Sequence, residues 1–560
     1  MSSGSLNMYI PGVRNFLIQV TIEIASDETI ARKEKVYLNK LNLAMVQVLK
    51  QEWSHNWPTF ISELVESSKT SLPLCENNMV LLRLLSEEIF DFSADQMTQA
   101  KVQELKVQLS NELSLVFQLC LEVLKEAPMG KVGLLRATLE TLGRFLSWIP
   151  LGYVFETELL QLLVTRFLEV AEYRNLTLKC AAEITSLPRS DVASVPGYDA
   201  TLKMFFTSIM VTINKLISPS TDIASAYRNA SDTGQEMVMA LAMFLANFFG
   251  KHLVLLEEET DREALLNAHF YLIKISQVDE CEVWKICLEY WLILLVGLYE
   301  EAVSRLPIGM SVAGDTAFAV PEVTLRKDVY AEVLTNLRLI AVGKMVKPEE
   351  VLIVENEEGE VVREHLQETD TIVLYKMMRK LMLYLTHIDV LDTGRILTEK
   401  LERQMNKKDG SSGDEWSWGN LNTLCWAVGS ISGAMDKDTE KHFLVLIIRE
   451  LLSLVEQKRG KDNKAIIASN IMYIVGQYPR FLKTMVNKLF EFMREGHEGG
   501  WSFLYLSPSP HVYLYTYTRN PYLGSMQFVV RQSEEKEPFV EEILRNIGRI
   551  TVDLLPQQVH

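Results

Sequence analysis

The residues of this chain best placed to do chemistry are apolar, and the chemistry they imply is recognition rather than bond making. In the segment KHFLVLIIRELLSLVEQK (441–458), Leu444, Ile447, Leu451 and Leu454 follow i, i+3, i+7, i+10 spacing. That stripe is already enough to dock one face of an amphipathic helix. Ile448, Leu452 and Val455 form a second stripe beside it, which widens the apolar arc to roughly half the circumference. A basic turn follows, QKRGKDNK, with Lys458, Arg459, Lys461 and Lys464, and then a second helical pattern, AIIASNIMYIVGQYP. An extra apolar strip rimmed by lysines suits a groove that receives an amphipathic, acid-flanked peptide helix. Spacing alone leaves open that both stripes are core, because the helix lies between two neighbours.

Catalytic patterns are missing. There is no GxxxxGK[ST], GxGxxG or HExxH run, and no serine or cysteine in a nucleophile elbow. The six cysteines are scattered without a CxxC pair, so neither a zinc site nor a disulfide scaffold is expected, and a reducing compartment fits. His252 and His269 fall in helical patterns and read as hydrogen-bonded helix residues, core or surface. The sequons at Asn175 and Asn229 then read as chance matches. No enzyme, metal or cofactor is expected. A net charge of −17 disfavours nucleic acid and anionic membrane as partners and favours basic protein surfaces. No signal peptide is read at the start, and no predominantly apolar run is read as reaching the ~18 residues of a membrane span, so no membrane insertion is expected.

The elements that must position the two stripes are helical. Periodicity predicts helices over 30–51, 59–68, 77–90, 98–125, 131–147, 155–171, 176–185, 198–217, 233–256, 262–277 and 282–303, then 325–342, 370–387, 392–404 and 421–435. Turns carry proline at Pro58, Pro150, Pro188 and Pro479. Antiparallel pairs recurring every ~40–50 residues, each exposing a face its neighbour must cover, predict an all-α HEAT-repeat α-solenoid. Trp53, Trp57, Trp148, Trp291, Trp416 and Trp418 are expected to fill seams between repeats. A coiled coil is set aside because no heptad pattern survives the prolines. Two segments differ. VLIVENEEGEVVRE (351–364) reads as a β-hairpin with an acidic tip, Glu355, Glu357, Glu358 and Glu360, for which a solvated charge run is the plain alternative. The stretch 500–531 is poor in charge and rich in tyrosine, serine and proline, and Pro508, Pro510 and Pro521 forbid a long helix.

Several runs also carry a resemblance: VLLRLLSEEIFDF (80–92), ATLETLGRFLSWIPLGYVFET (137–157), KICLEYW (285–291), KPEEVLIVENEEGEVVRE (347–364), SWGNLNTLCWAVGSISGAM (417–435) and VEQKRGKDNKAIIASNIMYIVGQYPRFL (455–482). Together they closely resemble the chromosome-region-maintenance (exportin one) family of the importin-β superfamily, its middle portion only. The resemblance implies a nuclear export receptor that shuttles between nucleus and cytoplasm. It would bind leucine-rich export signals cooperatively with Ran-GTP and pass through the pore by contacts with nuclear pore proteins. It implies groove positions at Ile448, Leu452, Val455, Ala468, Met472, Phe481 and Phe492, a rim of Lys461, Lys464 and Lys488, and a Ran-contacting role for the acidic hairpin.

The implied layout is an incomplete repeat over 1–29, a HEAT array over 30–345 and the acidic hairpin over 346–366. Groove-bearing repeats over 367–499, the atypical stretch over 500–531 and a partial terminal repeat over 532–560 complete it. Three departures from the family stand out. Val455 occupies the position of a cysteine that covalent polyketide inhibitors attack in many members. About seven residues, roughly two helical turns, are missing between Leu482 and Lys483. The helix expected after Gly499 is replaced by the tyrosine-rich stretch, which the resemblance marks as translated intron or another gene-model error, a genuine insert being the alternative. The implied groove is therefore intact on the Ile448 side and weakened on the Phe492 side, with impaired activity in a chain of this extent. Two other readings stay open at this level: an importin-type carrier, against which the lysine-rimmed groove speaks, and a Ran-independent HEAT scaffold.

Overall fold

In the computed structural model the described residues are 3–53, 55–90, 99–188, 195–304, 326–348, 350–355, 361–366, 369–405, 417–481, 504–505, 512–516 and 527–530. They divide into two compact units, Met1–Tyr290 and Trp291–His560.

The first unit opens with α1 (Ser3–Ala25), α2 (Glu28–Lys33), α3 (Lys35–Glu52), α4 (Phe60–Ser68), α5 (Leu72–Phe90), α6 (Gln99–Glu126) and α7 (Val132–Leu146). It continues with α8 (Leu151–Phe155), α9 (Leu159–Leu162), α10 (Ala171–Ser186), α11 (Tyr198–Leu216), α12 (Ile223–Asn229), α13 (Asp232–His252), α14 (Arg262–Ser276) and the start of α15 (Cys281–Ser304). One layer is a ladder in which α1, α3, α5, α7, α10 and α13 pack in succession, with α4 and α6 beside it, each also against its own partner helix. This is the HEAT arrangement, each pair covering the apolar face of the next. The ladder's core includes Leu82, Leu85, Leu139, Leu178 and Ile184, all without solvent exposure. Phe206 of α11 stacks on Phe248 of α13 with ring centroids 4.0 Å apart, an aromatic contact that adds to plain burial.

Several expectations need correction. The single helix expected over 155–171 is broken: α9 runs into a π-helical turn at Leu163–Phe167, and α10 starts only at Ala171. The wider turn brings Arg166 to the end of α6, where its guanidinium donates to the carbonyls of Leu124, at 2.7 Å, and of Lys125 and Ala127. Those are orphan acceptors at a helix C-terminus, which a cation satisfies well. Two helices, Gln99–Glu126 and Asp232–Leu256, are in fact long and apolar enough to cross a membrane. Their apolar sides are spent inside the solenoid instead, Leu105, Leu109 and Leu113 of the first and Leu241, Phe244 and Phe248 of the second being buried. Trp53, Trp57 and Trp291 fill the core, but Trp418 is 45% exposed, its indole N–H donating to Asn463.

The second unit holds the rest of α15, then α16 (Arg326–Val329), α17 (Ala331–Lys344), α18 (Asp370–Ile388), α19 (Val390–Met405), α20 (Trp418–Ser430), α21 (Lys437–Gln457) and α22 (Lys461–Gln477). Strands β1 (Glu350–Glu355) and β2 (Val361–Leu366) pair antiparallel between α17 and α18, with Val354 opposite Val362. Further on, β3 (Leu504–Tyr505), β4 (Val512–Thr516) and β5 (Gln527–Val530) form a three-stranded antiparallel sheet within the tyrosine-rich stretch.

Candidate functional site

Helix α21 begins where Asp436 caps it, its carboxylate accepting from the backbone N–H groups of Asp438 at 3.1 Å and Thr439 at 3.0 Å. Those bonds satisfy two of the four orphan donors of the first turn. The Thr439 side-chain hydrogen bond, together with these backbone bonds, holds the Asp436 carboxyl below its ordinary pKa. The helix ends at Lys458, and Gly460, at φ +97°, reverses the chain so that α22 starts one residue later. That positive φ favours glycine, so the tight turn rests on Gly460. The two helices pack together, α21 also touching α19, and α22 touching α20.

On α21 the two stripes separate physically. Leu444, Ile447, Leu451 and Leu454 are at most 1% exposed and form the core against the neighbouring helices. Ile448 and Leu452, on the second stripe, are only half-buried, and Val455 is buried at 7%. On α22, Ala468 and Met472 are likewise half-buried, and Lys464 stands on the same face at i, i+4, i+8 spacing. Phe481 follows in the short turn Pro479–Phe481 and is 9% exposed. The two packed helices and their closing turn thus carry six of the seven expected groove positions, Ile448, Leu452, Val455, Ala468, Met472 and Phe481, and one expected rim lysine, Lys464, with described side chains. Lys461 begins α22, its side chain outside the described residues. Phe492 and Lys488 lie outside the described residues. Glu355 closes β1, while Glu357, Glu358 and Glu360 also lie outside them.

Beneath this face, α20 and α22 meet closely. A Cβ on Gly429 would fall 2.7 Å from Tyr473 Cε1, so glycine is what allows the approach. Asn470 of α22, 1% exposed, donates to the Asn422 side chain of α20 at 2.7 Å, and the Tyr478 hydroxyl donates to the Val428 carbonyl at 2.6 Å. Ile467 and Ile474 are fully buried in the same seam. Gly429 and Glu440, a buried carboxylate at the start of α21, escaped the sequence reading. A glycine within a helical pattern carries a propensity cost, and that cost was the available signal for Gly429. Nothing comparable marked Glu440.

Thiol chemistry has little footing here. Burial raises Cys425, on α20, and pushes Cys120 and Cys180 up to about 12, so these thiols stay protonated and unreactive. Among the described residues no cluster of three His, Cys, Asp or Glu side chains could hold a metal. The arrangement can bury apolar side chains of a guest between half-covered aliphatic positions, with a cation beside them.

The family model for Exportin 1-like protein matches residues 34–181. The chromosome region maintenance or exportin repeat matches 263–299, and the CRM1 / Exportin repeats 2 and 3 match 326–393 and 412–462. Exportin-1 of Schizosaccharomyces pombe is 50% identical over 567 residues, covering 98% of this chain and 50% of its own length. Exportin-1 of Drosophila melanogaster is 45% identical over 556 residues, with 98% and 50% coverage. Among solved structures, importin 13 in its cytosolic state matches with a TM-score of 0.54 at 13% identity, over 86% of this chain and 53% of that one, a likeness of fold. The chain spans about half the length of the curated relatives it matches.

Proposed function

Because the chain belongs to the exportin 1-like family, we propose that it is a nuclear export receptor whose α21–α22 face binds leucine-rich export signals cooperatively with Ran-GTP. The observation that carries the reading is the split on α21: one stripe is at most 1% exposed, while Ile448 and Leu452 beside it are half-covered. Half-covered aliphatic side chains gain further burial when a guest arrives, at about 25 cal/mol per Å² of apolar surface removed from water. Spaced leucines on an amphipathic helix supply that guest surface, and Lys464 draws its acidic flank. Ran-GTP, engaging the acidic β1–β2 hairpin, favours the same conformation as the signal, so each ligand strengthens the other by an equal factor. Hydrolysis of the nucleotide in the cytoplasm removes that coupling and cargo leaves. The receptor shuttles through the pore by contacts with nuclear pore proteins and performs no catalysis of its own.

The test is a fluorescence anisotropy titration of a labelled leucine-rich export peptide with this chain, with and without Ran-GTP. Saturable binding, tightened by Ran-GTP and abolished by Ile448→Asp, is expected. Binding loosened by Ran-GTP would mark an import carrier instead, and binding indifferent to Ran-GTP a scaffold.

A further inference from the structure

A buried carboxylate stands at the start of α21, between the turns that flank α20 and α22. Glu440, on the first turn of α21, is 1% exposed. Its Oε1 accepts from the backbone N–H of Gly433 at 2.6 Å, and its Oε2 faces Arg480 Nη1 at 3.7 Å. Gly433, at φ +84°, lies in the turn joining α20 to α21. Arg480 lies in the turn after α22 and directly precedes Phe481, whose own N–H donates to the Tyr478 carbonyl at 3.1 Å. Tyr478 is in turn bonded to Val428 at the end of α20. Three chain segments meet at one buried carboxylate: the turn between α20 and α21, the start of α21 and the turn that carries Phe481. A buried carboxylate this deep is costly unless its lone pairs are met, so the junction is fixed by what Glu440 binds.

We propose that Glu440 is a positioning residue for export-signal recognition, holding the Pro479–Phe481 turn so that Phe481 closes the groove end beyond Met472. The inference rests on the reading of the α21–α22 face as the groove. Glu440 touches no guest itself; it acts through Arg480 and the Gly433 amide. Its role is therefore local to one terminal apolar position of the bound peptide.

The experiment uses the full chain, its Glu440→Gln and Glu440→Ala variants, and Ile448→Asp as a control on the groove. Each is titrated with a leucine-rich export peptide and with versions carrying alanine at one apolar position at a time. Hydrogen exchange of the 478–481 amides is followed in parallel, without peptide. The Gln variant keeps an acceptor for Gly433 and loses the charge toward Arg480, so it should bind about threefold to fivefold more weakly. The Ala variant, which orphans the Gly433 N–H, should bind roughly tenfold more weakly. The 478–481 amides should exchange faster in both, while those of α21 beyond its first turn are unchanged. The loss should be non-additive with alanine at one terminal peptide position only. A uniform, additive loss at all positions, or unchanged exchange at 478–481, overturns the inference. If Ile448→Asp abolishes binding while Glu440→Gln leaves the peptide profile intact, only the positioning role falls. If Ile448→Asp itself leaves binding unchanged, the groove reading falls with it.

Discussion

Two seams of the second unit hold their helices in opposite ways. Between α17 and α19 the lock is directional and charged. Arg338, 2% exposed, donates to Asp392 Oδ2 at 2.9 Å, to Thr393 Oγ1 at 3.1 Å and to the Leu385 carbonyl at 2.9 Å. Burial works against the charge on both partners. For Asp392 the hydrogen bonds from Arg395 and Thr335 and the Arg338 charge outweigh it, so the carboxyl sits below its ordinary pKa. Between α20 and α22 the lock is mostly shape: a glycine pressed against Tyr473 and a run of fully buried isoleucines. A charged lock consumes the polar groups around it, and its register is fixed by their geometry. A shape-packed seam only needs its inner faces filled, so the outer faces of its helices remain available for a guest. Ala468 and Met472 stand on such a face of α22, and α22 packs against α21, which carries Ile448 and Leu452.

The sharpest way to break this contrast is to remove one partner from the charged seam. Asp392→Ala leaves Arg338 buried without its anion, and breaking a buried pair in this way costs about 3–5 kcal/mol. In a repeat array that loss stays near its origin. Hydrogen exchange should therefore report faster opening of α17, α18 and α19 amides, with those of the first unit unaffected. Double replacement of Arg338 and Asp392 by apolar residues of similar volume should recover most of the loss. Failure of Asp392→Ala to loosen α19 would mean that the pair is incidental to the seam.

Next in size is a test on adjacent residues of one helix. Leu451→Ala empties a fully buried position and should cost about 2–5 kcal/mol. Leu452→Ala, one residue along and half-buried, should change stability far less, yet weaken export-peptide binding roughly tenfold. Denaturation midpoints and peptide titrations on the two variants should thus give opposite rankings. Equal effects of both on stability would make the second stripe part of the core, the alternative that spacing alone could not exclude.

That ambiguity shows where sequence reasoning reached and where it stopped. Periodicity placed most of the helices and both stripes of α21, because 3.6-residue spacing is a local property of the chain. It could not tell which stripe its neighbours cover, since that depends on α19 and α22 arriving from elsewhere. The π-helical turn at Leu163–Phe167 was unreadable because a one-residue widening barely alters an apolar pattern. Helix α1 was missed for a different reason: Pro11 lies within its span, and an interior proline reads as a break. The junction at Glu440 joins positions 433, 440 and 480, whose distances in sequence carry no motif.

In the first unit a buried polar group is held neutral rather than charged. His269 has no solvent exposure; its Nδ1–H donates to the Leu265 carbonyl at 2.8 Å, and Nε2 accepts from the Tyr290 hydroxyl at 2.6 Å. The carbonyl can only accept, so Nδ1 carries the proton. Burial lowers the pKa from 6.5 to about 4. With the folded value below the unfolded one, the unfolded chain binds more protons between those limits, so stability is full above pH 6.5 and falls as pH drops toward 4. Relative to a His269→Gln variant, the chain should lose about 2 kcal/mol between pH 7 and pH 5. Parallel denaturation curves for the two proteins across that range would instead place a charged or exposed imidazole at this position.

The smallest expected effect is at the groove rim. Lys464 is half-buried on the Ala468–Met472 face, and its charge acts on a guest largely through solvent. Exposed ion pairs contribute about 0–1 kcal/mol and are screened over ~8 Å at physiological ionic strength. Lys464→Gln should therefore weaken an acid-flanked export peptide by about threefold at low salt, and by nothing measurable near 1 M salt, where the screening length shrinks to ~3 Å. A peptide whose acidic flank is neutralised should not distinguish the variant at any salt. The apolar variant Leu452→Ala should behave in the opposite way, keeping its full effect as salt rises, since burial of aliphatic surface has no charge to screen. A salt-independent loss at Lys464 would show that its methylene stem, packed along the helix face, carries the contact and that the rim acts by shape as the seam beneath it does.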